Sequence, residues 1–183
     1  MEMSLEYIIS RAAKDAGIDE TGEVSIRELE YRDEVRKICE GNSCRCYGTT
    51  WACPPGVGTL EECQKRLESY NRMMVFSKIY RLEDSFDFAG MRSAMNDFKD
   101  VTEAFDRGLG RDFPPHMVLS NESCHRCEVC TYPDEPCRFP DKLYQAIEGY
   151  GLVVSVLATR AGIKYNNGPD TLTFFGALLW GRS

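Results

Sequence analysis

The sequence predicts an α/β or α+β fold, in which a small mixed sheet and its helices form one single-domain sandwich over residues 1–183. Segments with helical and strand patterns alternate along the chain. A chain of 183 residues is also long enough to build one core without cross-links. Two cysteine-rich blocks, 39–53 and 124–137, fall between these segments, so we expect both on loops at one edge of the sheet.

Helices are predicted where apolar residues recur every three or four positions. Gly17 is a suitable end for the first helix, and Thr59 is a suitable N-cap for the second. Cys63 lies on the apolar stripe of the second helix and is expected in the core. The predicted helices cover 3–16, 59–70, 88–105, ending at Gly108 or Gly110, and 143–147, ending at Gly149.

Strands are predicted where short runs are rich in β-branched, aromatic and other apolar residues. The run 117–119 would deliver the chain directly into the second cysteine block. The apolar run 152–157 fits a strand or a helix equally well, because periodicity alone does not separate the two. The predicted strands cover 24–29, 73–80, 117–119 and 171–180.

Composition excludes several classes of partner. The formal net charge is −7, and there is no basic run, which argues against a nucleic-acid partner and an anionic membrane. No stretch reaches the roughly 18 apolar residues of a membrane span. The first 14 residues lack the pattern of a signal peptide, so we expect a cytoplasmic protein. In a reducing cytoplasm, nine cysteines indicate metal ligands or redox groups rather than disulfides.

The second block has the spacing C-x2-C-x2-C, followed by a fourth cysteine after six residues. Three thiolates at steps of three can wrap one cubane, and the same core occurs in bacterial ferredoxins. Four thiolates can also hold a structural zinc ion, although zinc sites usually pair two distant C-x2-C knuckles. The candidate ligands of this block are Cys124, Cys127, Cys130 and Cys137.

The first block also has enough cysteines for a cluster, and it ends in Cys-Pro-Pro. In two-cluster ferredoxins, the last cysteine of one run ligates the other cluster. Cys53 could therefore join the second block while Cys137 joins the first, or each block could bind its own metal. Cys46 is either a fourth ligand or a spare thiol. The candidate ligands here are Cys39, Cys44, Cys46 and Cys53.

Two sets of residues resemble a known prokaryotic family. The first set is Cys39, Cys44, Tyr47, Gly48, Trp51, Cys53, Pro54 and Pro55, and the second is Cys124, Cys127, Cys130, Pro136, Cys137, Arg138 and Pro140. The family is known as predicted metal-binding proteins, a domain of unknown function common in anaerobes and methanogens. The resemblance covers about residues 22–180 and implies metal binding in an anaerobic setting.

Three functions are compatible with these patterns. The leading hypothesis is a protein with one or two 4Fe-4S clusters that transfers electrons to a larger redox system through a partner protein. A cluster with only three cysteine ligands would leave one iron open, which indicates an enzyme acting on a small molecule. The third hypothesis is an interaction module stabilised by zinc.

Overall fold

A five-stranded mixed sheet, with strand order β1-β2-β5-β3-β4, forms the centre of the computed structural model, which describes residues 4–182. All neighbouring strands are antiparallel except β3 and β4, which are parallel. The strands are β1 Glu20–Val24, β2 Tyr70–Arg81, β3 His116–Ser120, β4 Gln145–Ala146 and β5 Thr171–Arg182. The helices are α1 Leu5–Ala16, α2 Asp33–Glu40, α3 Leu60–Glu68, α4 Phe88–Leu109 and α5 Val154–Arg160.

Alternate residues of the two long central strands supply two separate cores, as the period of a strand requires. On one face, Met74 and Phe76 of β2 pack with α1 and α4. On the other face, Met73 and Val75 pack with α3, α5 and the short 3-10 turn Ile147–Tyr150. The result is an α+β sandwich with helices on both faces of one sheet.

Most of the predicted elements are confirmed, and the N-terminal caps explain where two helices begin. The Thr59 hydroxyl accepts a hydrogen bond from the backbone of Glu62, and the Glu62 carboxylate accepts one from the backbone of Thr59, which completes a capping box. The Ser4 hydroxyl caps α1, whereas the predicted start at residue 3 lies outside the described residues. Cys63 is completely buried in the core, as predicted.

Three predictions of local structure were wrong or incomplete. The predicted strand 24–29 is the end of β1 followed by a 3-10 turn at Ile26–Glu28. The predicted helix 143–147 is strand β4 followed by a 3-10 turn at Ile147–Tyr150. These segments are short and partly buried, so pairing and packing with neighbours outweigh their local pattern. The ambiguous run 152–157 contributes to helix α5.

His116 at the start of β3 forms hydrogen bonds that require its charged form. Its Nδ1 lies 2.9 Å from the carbonyl oxygen of Pro114, and its Nε2 lies 2.8 Å from Oδ1 of Asp106. Both partners accept, so both ring nitrogens must donate. The hydrogen bond to Asp106 is the main reason that the pKa of His116 is raised from its ordinary 6.5.

We expect this interaction to make stability depend on pH. A raised pKa in the folded state gives a contribution that is fully present below pH 6.5 and is lost as pH rises through the folded pKa. Urea unfolding should therefore show a larger difference in unfolding free energy between the wild type and His116→Gln at pH 5.5 than at pH 9. An equal difference in unfolding free energy at the two pH values would contradict a stabilising role for charged His116.

Candidate metal centre

The first cysteine block follows helix α2 and wraps around one cleft. All four of its cysteines line this cleft, which has a volume of about 390 Å³. Most of the remaining lining is apolar, including Val35, Val153 and Leu152. The sequence predicted a loop for the whole block, but Cys39 occupies the last turn of α2. Cys39 is therefore positioned by a helix, and the other three cysteines by turns.

Two residues in left-handed backbone conformations shape the turn after α2. Asn42 has φ of 53° and Arg45 has φ of 61°, a region that side-chain-bearing residues adopt at a cost of about 1–2 kcal/mol. The Asn42 side-chain oxygen accepts a hydrogen bond of 3.0 Å from the backbone of Tyr47, which holds the turn closed. Such strained backbone is typical of functional sites. Here it brings Cys44 and Cys46 to the cleft that also contains Cys39.

Arg36 fastens helix α2, and with it Cys39, to the rest of the protein. Its guanidinium donates to the carbonyl oxygens of Gly149 at 2.6 Å and Gly58 at 2.9 Å. No side chain of α2 is fully buried, so these two hydrogen bonds attach it to the 3-10 turn Ile147–Tyr150 and to the segment before α3. Hydrogen bonds from a charged donor contribute about 1.5–3 kcal/mol each.

We expect Arg36→Ala to destabilise the protein by about 2–4 kcal/mol, because two carbonyl groups lose a charged donor. Arg36→Lys should restore only part of the loss, since an ammonium lacks the planar fork that reaches both oxygens. Chemical denaturation measures the stability, and metal analysis of the same samples measures the effect on the first block. A decrease in unfolding free energy below about 0.5 kcal/mol for Arg36→Ala would show that other contacts hold helix α2 in place.

The second cysteine block leaves the end of β3 and lies on a segment without helix or strand up to residue 139. Its four cysteines line a second, smaller cavity of about 20 Å³, roughly the space of one water molecule. Trp51, Phe139 and Leu143 form the apolar part of the remaining lining, and Arg126, Arg138 and Lys142 add three positive charges. The thiol of Cys137 also accepts a hydrogen bond of 3.4 Å from the backbone of Phe139.

The two blocks lie side by side next to strands β3 and β4, at one edge of the sheet. The Thr50 and Ser123 hydroxyls are 3.1 Å apart. Trp51 of the first block donates its indole N–H to the carbonyl oxygen of Glu135 at 3.1 Å and packs edge-on against Tyr132. The backbone of Ala146 in β4 donates to Ala52 at 2.9 Å. Trp51 therefore covers the cysteines of the other block, not those of its own.

The arrangement favours local over crossed pairing of the cysteines. Cys53 lies in the cleft with Cys39, Cys44 and Cys46, and Cys137 lies in the cavity of its own block. Within residues 4–182, no three His, Cys, Asp or Glu side chains converge closely enough to hold a single metal ion. The cysteines instead line the walls of the cleft at the first block and of the cavity at the second.

Burial favours the protonated form of three thiols of the first block, because it raises their pKa. It raises the pKa of Cys39 and Cys53 above the ordinary thiol value, and that of Cys46 to about 11. The Cys46 thiol also donates to the Cys44 carbonyl oxygen at 3.3 Å. Thiolates are the metal-binding form, so binding at this block would release protons.

Three charged side chains at the site were not predicted from the sequence. Glu122 and Glu148 line the cleft of the first block, and Lys99 of α4 lines a cavity of about 280 Å³ beside Cys124. Burial raises the pKa of Glu148 to about 7. Lys99 directly follows Phe98 of the apolar stripe of α4, but no pattern in the sequence marks it or the two glutamates as site residues.

Fold and site together define a cysteine-rich α+β protein whose thiols are arranged as two neighbouring candidate metal sites. The chain belongs to the family described as predicted metal-binding protein (DUF2284), whose model matches residues 22–180. This agrees with the resemblance found in the sequence and establishes the chain as a member of a predicted metal-binding family. No curated protein matches the chain.

Among solved structures, the chain is similar to epoxyqueuosine reductase from Streptococcus thermophilus. The identity is 14%, the TM-score is 0.44, and the match covers 97% of this chain and 46% of that one. The chain thus spans less than half of the length of that enzyme. In the part of the chain that the structure describes, no helix has the length and apolar character needed to cross a membrane.

Proposed function

We propose that this protein is an iron–sulfur protein that transfers electrons to a larger redox system, with one 4Fe-4S cluster held by each cysteine block. The observation that carries the proposal is the side-by-side placement of two four-cysteine sets, each around its own space. Two adjacent sites suit a path along which an electron enters at one and leaves at the other. The proposal includes a redox partner protein and a reducing cytoplasm.

The donor sets fit such clusters, which are held by cysteine thiolates. Cys39, Cys44, Cys46 and Cys53 would hold the first cluster, in a cleft that already has room for it. Cys124, Cys127, Cys130 and Cys137 would hold the second, and their segment has to widen because its cavity is only about 20 Å³. Each cluster, when bound, supplies one-electron chemistry.

The surrounding residues would control solvent and charge at the second site. Trp51 and Phe139 are the aromatic residues in its lining, and the access of water is one of the factors that set a reduction potential. The Glu103 carboxylate pairs with Lys142 and with Arg126. The hydrogen bond from Lys142, and after it the one from Arg126, holds the pKa of Glu103 below its ordinary value. One carboxylate therefore faces two cations, and Arg138 in the lining adds a third positive charge. These four groups carry a net charge of +2 before a cluster adds its own negative charge.

An enzyme acting on a small molecule is the second candidate, and it is favoured by the cleft at the first block. The cleft has a volume of about 390 Å³ and mostly apolar walls, so a ligand could lie beside the cysteines. If Cys46 is a spare thiol, three ligands remain and one iron stays open to that ligand. Cys46→Ala separates the cases, because it should leave the cluster intact in the enzyme and damage it in the electron carrier.

Anaerobic purification followed by iron, zinc and sulfide counts per chain is the direct test. Two clusters require about eight irons and eight sulfides, together with a reducible absorption band and a paramagnetic signal after reduction. About four irons would indicate one cluster. Stoichiometric zinc without sulfide would refute the proposal and support a structural role for the cysteines.

A further inference from the structure

Lys99 extends from helix α4 to the segment that connects β3 with the second cysteine block. Its ammonium donates to the carbonyl oxygen of Asn121 and lies 3.5 Å from the Ser120 hydroxyl. Ser120 and Asn121 are both buried, so the charge sits at the inner side of the site rather than on the surface. Within residues 4–182, its ammonium forms no ion pair with a carboxylate, and a partly buried charge without such a partner is costly and needs an explanation.

The segment that Lys99 holds is the wall between the two cysteine sets. Glu122 and Ser123 line the cleft of the first block, and Cys124, the next residue, lines the cavity of the second. The Ser123 hydroxyl contacts Thr50 of the first block at 3.1 Å. Lys99 also shares the cavity of about 280 Å³ with Cys124. Its ammonium thus lies beside the second set and binds the segment that also borders the first.

The charges that face Lys99 come from both sides of this wall. Burial lowers the pKa of Lys99, and the carboxylates of Glu122 and Glu148 oppose this shift. Both carboxylates line the cleft of the first block, whereas Cys124 of the second block shares a cavity with Lys99. The groups around the ammonium therefore belong to both sites.

We propose that the Lys99 ammonium is a shared electrostatic element that favours the reduced state of both metal sites. This inference rests on the proposed function, because it requires redox-active clusters. When a site accepts one electron from a reductant, its negative charge increases by one and no proton has to move. A fixed positive charge in partly buried surroundings stabilises that added charge by Coulomb attraction, and water screens it poorly there.

Redox titration of the reconstituted protein, followed by absorption and electron paramagnetic resonance, tests the inference. Lys99→Met keeps most of the side-chain volume and removes the charge. At a fixed applied potential, we expect the ratio of reduced to oxidised cluster to fall about tenfold at both sites, which corresponds to about 59 mV for a one-electron couple. Lys99→Arg keeps the charge and should stay close to the wild type.

Lys65→Met is the matched control for the loss of one positive charge. Lys65 is exposed on α3, where it pairs with Glu61 at 2.6 Å, and it lines neither cysteine set. Removal of the Lys65 charge should leave the reduction potentials of both metal sites unchanged. If Lys99→Met does not fold, Lys99→Gln, which keeps a hydrogen-bond donor for Asn121, takes its place and has the same expected result.

The outcomes distinguish this inference from the proposed function. A wild-type protein that takes up no redox-active cluster refutes both. Clusters that form in full with unchanged potentials in the uncharged Lys99 variants refute the role of Lys99 alone. The role of Lys99 is also refuted if Lys99→Arg shifts the reduction potentials as much as Lys99→Met does, because the effect would then come from altered packing and not from the lost charge. A shift confined to the uncharged variants supports the shared role.

Discussion

Replacing Cys124 and Cys127 together by serine is expected to remove about half of the bound metal and to leave the other half spectroscopically unchanged. The reason is the local grouping of the thiols, in which each block surrounds its own space. The mirror variant, with Cys39 and Cys44 replaced, should lose the other half. Metal and sulfide counts with electron paramagnetic resonance of both variants measure which site survives.

Crossed pairing leads to a different result. If Cys53 completed the second site and Cys137 the first, removal of Cys53 alone would damage the site of the other block. We expect Cys53→Ser to affect only the first site, since Cys53 lies in the cleft with Cys39, Cys44 and Cys46. If Cys53→Ser instead lost the electron paramagnetic resonance signal of the site that contains Cys124, local pairing would be wrong.

Cys63 provides the control for cysteine substitution itself. It is completely buried, and its thiol faces the carbonyl oxygen of Val57 at 3.5 Å within the core. Cys63→Ala should therefore retain all of the metal while losing about 1–3 kcal/mol of stability through a small cavity. Metal loss in this variant would mean that stability, not ligation, governs the metal content of the others.

The long elements of this fold were predictable because their patterns persist over many residues. Helix α4 keeps an apolar stripe from Ala94 to Leu109, and β2 and β5 are largely buried runs. Helix α2 could not be predicted in the same way, because none of its residues is fully buried and its attachment depends on Arg36. That contact joins residues 113 positions apart and leaves no local signal.

The sequence identified the two cysteine blocks but not how their cysteines are grouped in space. The spacing of the cysteines identified both blocks, because thiolates around one cluster must be close in the chain or on adjoining loops. The grouping depends on the left-handed conformations of Asn42 and Arg45, which have no unambiguous sequence signal. Lys99, Glu122 and Glu148 reach the site only because the sheet edge and α4 bring distant segments together.

Phe76→Ala is expected to cost about 3–5 kcal/mol, a large part of the 5–15 kcal/mol that stabilises a typical domain. Phe76 is completely buried at the centre of β2, where its ring lies 5.0 Å from that of Phe105 and 6.1 Å from that of Phe98. It also covers Gly176, the residue opposite it in β5. Phe86→Ala, at a side chain that is 77% exposed, is the matched control and should change stability by less than about 0.5 kcal/mol.

The same loss is expected with and without metal, because the core around Phe76 contains no cysteine and is closed by α1 and α4. Urea unfolding of the loaded and the metal-free protein, each with and without Phe76→Ala, measures this. If the cysteines instead held a zinc ion on which folding depends, the metal-free protein would already be unfolded, and Phe76→Ala would change nothing there. A cooperative transition in the metal-free wild type therefore separates a redox protein with its own core from a module that folds around its metal.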